Sequence, residues 1–257
     1  MDIFQTLILS FVEGVTEFLP VSSTGHLVLT SQILNIKQSE FVKSFEIIIQ
    51  LGAILSVVVL YFKTLINTKI WPQILVAFLP SAFIGFVFYK LIKDVLIGNS
   101  LITVIALILG GIAFILVEYR HKNNKANETS NIEQITLKNA FVIGIFQSVS
   151  IIPGVSRAGA TILGALLLGA NRKTAAEFSF ILAIPTMFGA TVLDIAQTKL
   201  AFSSSELTML FVGFFASFIF AAISVKLLIK YLSNHNFVVF GIYRIAIAII
   251  FYIIFLK

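Results

Sequence analysis

Six stretches of the chain, roughly residues 41–62, 72–90, 100–118, 174–196, 206–225 and 237–256, are each long and apolar enough to cross a bilayer as a helix. About 20 residues suffice for that. Only helices and closed barrels satisfy their own backbone in lipid, and these stretches are too long and too uniformly apolar for the period-two alternation of barrel strands. An all-α, polytopic membrane helix bundle is therefore expected. Charge agrees: 12% of residues are Asp, Glu, Lys or Arg and 58% are hydrophobic, whereas a soluble domain is about 25% charged. Soluble folds, disordered chains and DNA-binding modules are excluded. The net charge of +6 comes from Lys and Arg dispersed between apolar blocks. That is a topology signal, so no nucleic-acid partner is expected. There is no cysteine for a disulfide framework. Residues 1–9 carry no basic segment, and Glu13 and Glu17 interrupt the apolar run a signal peptide would need, so the N-terminus reads as mature sequence.

Two further apolar regions, residues 1–35 and 139–171, are broken midway, at Pro20-Val21-Ser22-Ser23-Thr24-Gly25-His26 and at Pro153-Gly154-Val155-Ser156-Arg157-Ala158-Gly159. Bare loop is not tolerated in lipid, so such breaks need protein or a wet cavity around them. Each region reads as a re-entrant hairpin of two half-helices and a tip. An ungapped offset of 134 residues matches Val15 with Val149, Val21 with Val155, Ser22 with Ser156, Gly25 with Gly159 and Leu29 with Leu163. It also sets Glu13 against Gln147 and Thr16 against Ser150. Three spans come after each hairpin. The expectation is one integral-membrane domain, 1–257, built as an inverted repeat of 1–120 and 138–257 around the polar loop His121 to Glu133. Pro80 and Pro185 fall within spans and are expected to kink them.

An odd number of spans per half gives the halves opposite orientations. With 63–71 and 119–138 in the cytoplasm, that side holds Lys63, Lys69, Arg120, Lys122, Lys125, Lys138, Arg172, Lys173, Lys226 and Lys230. The other side holds Lys37, Lys43, Lys90, Lys93, Lys199 and Lys257. This bias obeys the positive-inside rule. The two tips then approach one another from opposite faces, around a central site.

The tips carry the chemistry. Glu13 and Glu17, at i and i+4, place two carboxylates on one helix face. Buried acids this close need a cation or a shared proton between them. Pro20 stops the first half-helix; Ser22, Ser23 and Thr24 offer capping hydroxyls, with Gly25 and His26 in the first turn of the returning helix. At the second tip Ser156 is the cap, with Arg157 next and Thr161 one turn on. Two helix N-termini aimed at one place suit a phosphate, and Arg157 adds a planar, permanently charged fork. Together the residues point to phosphoryl transfer.

The runs Glu13-Gly14-Val15-Thr16-Glu17-Phe18-Leu19-Pro20-Val21-Ser22-Ser23-Thr24-Gly25-His26 and Pro153-Gly154-Val155-Ser156-Arg157-Ala158-Gly159-Ala160-Thr161 closely resemble the two signature motifs of the bacterial undecaprenyl-diphosphatase family, the bacitracin-resistance type. Length and span layout agree over the whole chain. The resemblance implies a hydrolase of the bacterial inner membrane with its site facing the extracytoplasmic side. It would convert undecaprenyl diphosphate to undecaprenyl phosphate and inorganic phosphate, recycling the carrier for peptidoglycan synthesis and conferring bacitracin resistance. It also implies a divalent metal, Mg²⁺ or Ca²⁺, expected on Glu13 and Glu17. Glu17, Ser23, His26 and Arg157 are the expected catalytic residues. Ser22, Thr24, Gly25, Gly154, Ser156, Thr161 and Gln147 are expected to bind substrate. Ala158 stands where many members have Ser, so no chemistry is expected there. The attacking group is left open between Ser23, His26 and a water activated by His26 or a carboxylate. A homodimer is likewise an open expectation.

Among other polar residues, Glu46 and Gln50 could line the cavity or bond between helices. Glu177, Asp194 and Arg244 are expected to pair within the bundle. A transporter is the main rival, because broken helices in inverted repeats are common there. The clustered Glu, Ser, His and Arg exceed what ligand binding alone needs. An acid-phosphatase-like histidine nucleophile is a second rival, but its basic first motif and second histidine-aspartate element are missing.

Overall fold

The computed structural model describes residues 1–88, 100–121, 128–195 and 202–256, without the side chains of His121 and residues 193–195. The expectations for Asp194 and for Lys90, Lys93, Lys122, Lys125, Lys199 and Lys257 lie outside the described residues and side chains. Among the described residues there are eleven α-helices and no strand. They are α1 Ile3–Thr16, α2 Ser23–Ile33, α3 Glu40–Leu60, α4 Phe62–Ile66, α5 Trp71–Val87 and α6 Ser100–His121. The second half holds α7 Leu137–Ser148, α8 Arg157–Leu167, α9 Arg172–Ile195, α10 Ser204–Leu232 and α11 Val238–Phe255.

Helix starts obey capping chemistry. Asp2 forms a capping box with Gln5 at α1, Ser39 and Thr136 accept from Val42 N and Asn139 N, and Ser203 forms a box with Glu206. Pro72 sits in the first turn of α5, where its missing N–H costs nothing. Pro80 and Pro185 lie inside α5 and α9, and both helices continue through them.

Among the described residues six helices are long and apolar enough to span a membrane, and the protein is an all-α, multi-pass membrane protein. Phe83, Phe86, Phe188 and Phe211 are each more than 60% exposed, which water would not permit on this scale and lipid does. α9 is the innermost span, 56% buried against 22% for α11. Its Phe178, Phe180, Ile181 and Leu182 are fully enclosed.

α1 and α2 pack together as one hairpin and α7 and α8 as another. The first hairpin leans on α10 and the second on α5, while α3 touches α9 and α6 touches α11 across the halves. Lipid supplies no hydrophobic force between helices, so close approach by small residues holds them. A Cβ at Gly14 would strike Ser217 O at 2.6 Å, and one at Gly144 would strike Ala77 O.

The hairpins are rooted at opposite ends of the bundle. Gln5 Nε2 donates to Leu34 O at 3.3 Å, near the start of α3. At the far end of α3, Asn67 Nδ2 donates to Glu133 Oε1 at 2.5 Å and Thr129 N to Gly169 O at 2.8 Å. Arg172 grips Glu118 there through Nε and Nη2, and Glu118 Oε1 also accepts from Phe237 N at 2.9 Å.

Candidate active site

Both tips break the helical backbone in the same way. Ser22 and Ser156 each hold φ at 73°, and Gly154 holds it at +91°. A non-glycine residue at such φ costs of order 1–3 kcal/mol and persists where its surroundings over-determine it. At Gly154 a side chain is also excluded by space, since a Cβ would meet Thr103 O at 2.5 Å. Ser156 caps α8 as expected, accepting from Gly159 N at 3.0 Å. Ser22 occupies the N-cap position of α2, but its side chain makes no cap hydrogen bond. The expected capping role of the Ser22-Ser23-Thr24 hydroxyls is not realised: Ser22 makes no cap bond, and Ser23 Oγ donates to Glu17 instead.

Between the tips lies a polar cavity of about 90 Å³. From the first tip Glu17, Ser22, Ser23 and Thr24 line it, and from the second Gly154, Ser156 and Arg157. One chain of hydrogen bonds crosses between them. Ser23 Oγ donates to Glu17 Oε2 at 2.6 Å, and Arg157 Nη2 donates to Glu17 Oε1 at 2.8 Å. The Arg157 side chain is 11% exposed and that of Glu17 4%, so the pair is largely desolvated and its geometry strongly held.

Arg157 is fixed from three sides. Nη1 donates to Ser179 O at 2.8 Å, the guanidinium lies 5.7 Å from the Phe18 ring centre, and Phe18 meets Phe180 edge-on at 5.4 Å. Its Nε–H has no acceptor among the described residues.

Five expected site residues do not line the cavity. Thr161 bonds Ser179 Oγ at 2.5 Å and donates to Arg157 O at 2.9 Å, so it steadies the arginine rather than the ligand. Gln147 Nε2 donates to Ser81 Oγ at 2.7 Å and Thr186 Oγ1 at 3.1 Å, tying α7 to α5 and α9. Gly25 lies buried in the first turn of α2. His26 is 2.8 Å from Ser22 O through Nδ1 and 2.6 Å from the Tyr243 hydroxyl through Nε2. A carbonyl only accepts, so Nδ1 carries the proton, and in the neutral ring Nε2 accepts from Tyr243. As arranged here, the lone pair a nucleophilic histidine needs is engaged by Tyr243.

Glu13, the fifth, is 1% exposed, and neither carboxylate oxygen has a hydrogen-bond partner among the described residues. Its charged neighbours are Glu17, Glu46 and Arg157. A buried carboxylate with free lone pairs beside a second carboxylate fits a hard, oxygen-seeking cation. Among the described residues no cluster of three or more acidic, His or Cys groups could hold a metal. Glu13 and Glu17 are the residues here that would hold such a cation.

Gln50, Ser150, Pro153 and Met187 also line the cavity. Of these, sequence reasoning raised Gln50 as a candidate and set Ser150 only as the repeat partner of Thr16. Glu46 does not line it and accepts from Gln38 Nε2 at 3.3 Å. Arg244 is a larger surprise. Instead of an acid it binds backbone carbonyls, at Pro20 O 3.0 Å, Gly154 O 2.9 Å, Ala106 O 3.3 Å and Leu107 O 3.4 Å. Nothing local in Gly241-Ile242-Tyr243-Arg244 signals that; it depends on where α11 lies.

Fold and site together define a polytopic α-helical membrane protein with an acid–hydroxyl–arginine centre built from two helix breaks. Residues 6–250 match the family of bacitracin resistance protein BacA, and the chain belongs to that family. Curated relatives named undecaprenyl-diphosphatase include one from Aquifex aeolicus, 51% identical over the full length of both chains. One from Sulfurihydrogenibium sp. is 50% identical, over 98% of this chain and 99% of its own. One from Wolinella succinogenes is 51% identical, over 98% and 97%.

Proposed function

We propose that this protein hydrolyses undecaprenyl diphosphate to undecaprenyl phosphate and inorganic phosphate, recycling the lipid carrier for peptidoglycan and conferring bacitracin resistance. One observation carries the reading: Glu17, Ser23 and Arg157, drawn from two separate breaks, form one hydrogen-bonded chain on the wall of a polar cavity. Membership of a family whose relatives are named undecaprenyl-diphosphatase supplies the substrate. We place the protein in the bacterial inner membrane with the site facing the extracytoplasmic side, as the family resemblance implies; the distribution of Lys and Arg supports the orientation of the loops. We also read 1–120 and 138–257 as inverted repeats within one domain; the shared φ at Ser22 and Ser156 and the reciprocal packing of the hairpins support this.

In this reading the diphosphate binds between the N-termini of α2 and α8, with Arg157 holding oxygens of the terminal phosphoryl group. Ser23, hydrogen-bonded to a carboxylate and facing the cavity, attacks the terminal phosphorus. Its proton passes to Glu17, the bridging P–O bond breaks, and undecaprenyl phosphate leaves with the electron pair. Water then hydrolyses the phosphoserine, releasing inorganic phosphate and restoring Ser23. Glu13 and Glu17 would hold a divalent cation, whose bound charge would offset that of the diphosphate. The tail fits an apolar groove of about 470 Å³, lined by Ile105, Leu109 and Ala113 of α6 with Phe146, Val155 and Leu163. Val155 lies between Gly154 and Ser156, which line the polar cavity, so groove and cavity meet at the second tip.

The test is phosphate release from undecaprenyl diphosphate by the purified protein with added Mg²⁺ or Ca²⁺. Turnover without metal would remove the cation. Lipid movement across vesicles with no phosphate released would favour a transporter. A phosphoenzyme trapped on Ser23 supports attack by that hydroxyl, and its absence in active enzyme favours direct attack by water.

A further inference from the structure

We infer that Arg244 is a positioning residue that sets the two hairpin tips in register for the reaction. The inference rests on the cavity being the diphosphate site. The Arg244 side chain is fully enclosed. Its fork joins Pro20 O of the first tip through Nη1 and Gly154 O of the second through Nη2. Those two carbonyls are separated by the same 134 residues that relate Ser22 to Ser156. One guanidinium therefore holds equivalent points of both tips, next to the two serines at φ 73°, and Nε and Nη2 tie the assembly to α6 at Leu107 and Ala106.

The surroundings are shaped for this side chain. A Cβ at Gly110 would collide with Arg244 Nη2, and one at Gly159 would lie 3.2 Å from Nη1. The same offset carries Gly110 onto Arg244. In a two-fold arrangement only one side chain can occupy the space between the tips, and glycine at 110 leaves it to the arginine. Carbonyl oxygens solvate the buried cation, whose five N–H donors all need acceptors. The two that bridge the tips fix where Arg157 stands relative to Ser23. A misplacement of about 1 Å between such groups can cost about 10²-fold in rate. A lysine could not replace the clamp, because a single ammonium lacks the planar fork that reaches both carbonyls.

The experiment compares wild type, Arg244→Lys, Arg157→Ala, Glu17→Gln and the Arg157→Ala/Arg244→Lys double variant, each purified as a monodisperse species, with undecaprenyl diphosphate and Mg²⁺. Arg244→Lys is expected to lower kcat by about 10²-fold with KM little changed, because the tail contacts remain. The double variant is expected to be no slower than Arg157→Ala, since a residue acting through Arg157 loses its effect once Arg157 is gone. Wild-type kcat in Arg244→Lys, or losses that multiply in the double variant, would overturn the inference; a merely structural role gives the second result. Should Arg244→Lys not yield folded protein, Gly110→Ala applies the same two criteria, by displacing the guanidinium while leaving its charge. Full activity in Arg157→Ala and Glu17→Gln would sink the cavity as the site itself, whatever Arg244→Lys does.

Discussion

Ser22 and Ser156 hold the same φ, each one residue ahead of an 11-residue helix, yet the side chains around them have parted company. By the 134-residue offset Glu17 corresponds to Ile151, Ser23 to Arg157, His26 to Ala160 and Glu13 to Gln147. The first tip supplies acid and hydroxyl, the second the cation. Two tips that kept identical chemistry would set carboxylate against carboxylate, or guanidinium against guanidinium, in a desolvated space, and either repels. Divergence turns that repulsion into the 2.8 Å pair of Glu17 and Arg157. A repeated backbone provides the paired helix ends, and asymmetry of side chains provides the reaction.

The largest test of this division removes either partner. Arg157→Ala and Glu17→Gln are each expected to lower kcat/KM by about 10³-fold, read as phosphate release. If one alone matters, a single tip carries the chemistry and the comparison breaks. Next comes the pair Glu13 and Gln147. Glu13→Gln should raise the Mg²⁺ concentration for half-maximal rate by about 10–100-fold, whereas Gln147→Leu should act on stability, by removing the bonds that tie α7 to Ser81 and Thr186. Metal titration of both variants decides.

A smaller effect concerns the groove that meets only the second tip. Ala113→Phe should raise KM for the long undecaprenyl substrate by about tenfold and leave a short-chain prenyl diphosphate nearly unaffected. Equal losses on both would detach the groove from the tail. The smallest contrast is between the serines. Ser156→Ala removes a cap worth about 1 kcal/mol and should lower Tm by about 2–4 °C. Ser22→Ala, which removes no cap bond, should shift Tm less while reducing activity. Thermal unfolding in detergent separates them.

Span count, hairpins and the breaks at Pro20 and Pro153 were legible because lipid leaves a chain few choices: about 20 apolar residues must be helix, and a polar interruption must be sheltered. Motif residues that share a tip, Ser22, Ser23 and Thr24 at the first and Gly154, Ser156 and Arg157 at the second, were legible as groups, since a turn places its own members. His26 was not, because Tyr243 reaches it from the last helix, 217 residues away. Thr161 and Gln147 carry the right chemistry, but Ser179, Ser81 and Thr186 engage them first.

The sequence by itself determined that this is a helical membrane protein with two chemically distinct breaks, since hydropathy and turn chemistry are local properties. Which side chains face the cavity, and that Arg244 binds carbonyls of both tips rather than an acid, were decided only by the tertiary structure. The physical reason is distance along the chain. Arg244 is 224 residues from Pro20 and 90 from Gly154, and no pattern along the chain carries contacts that only the packing of α11 against α6 creates.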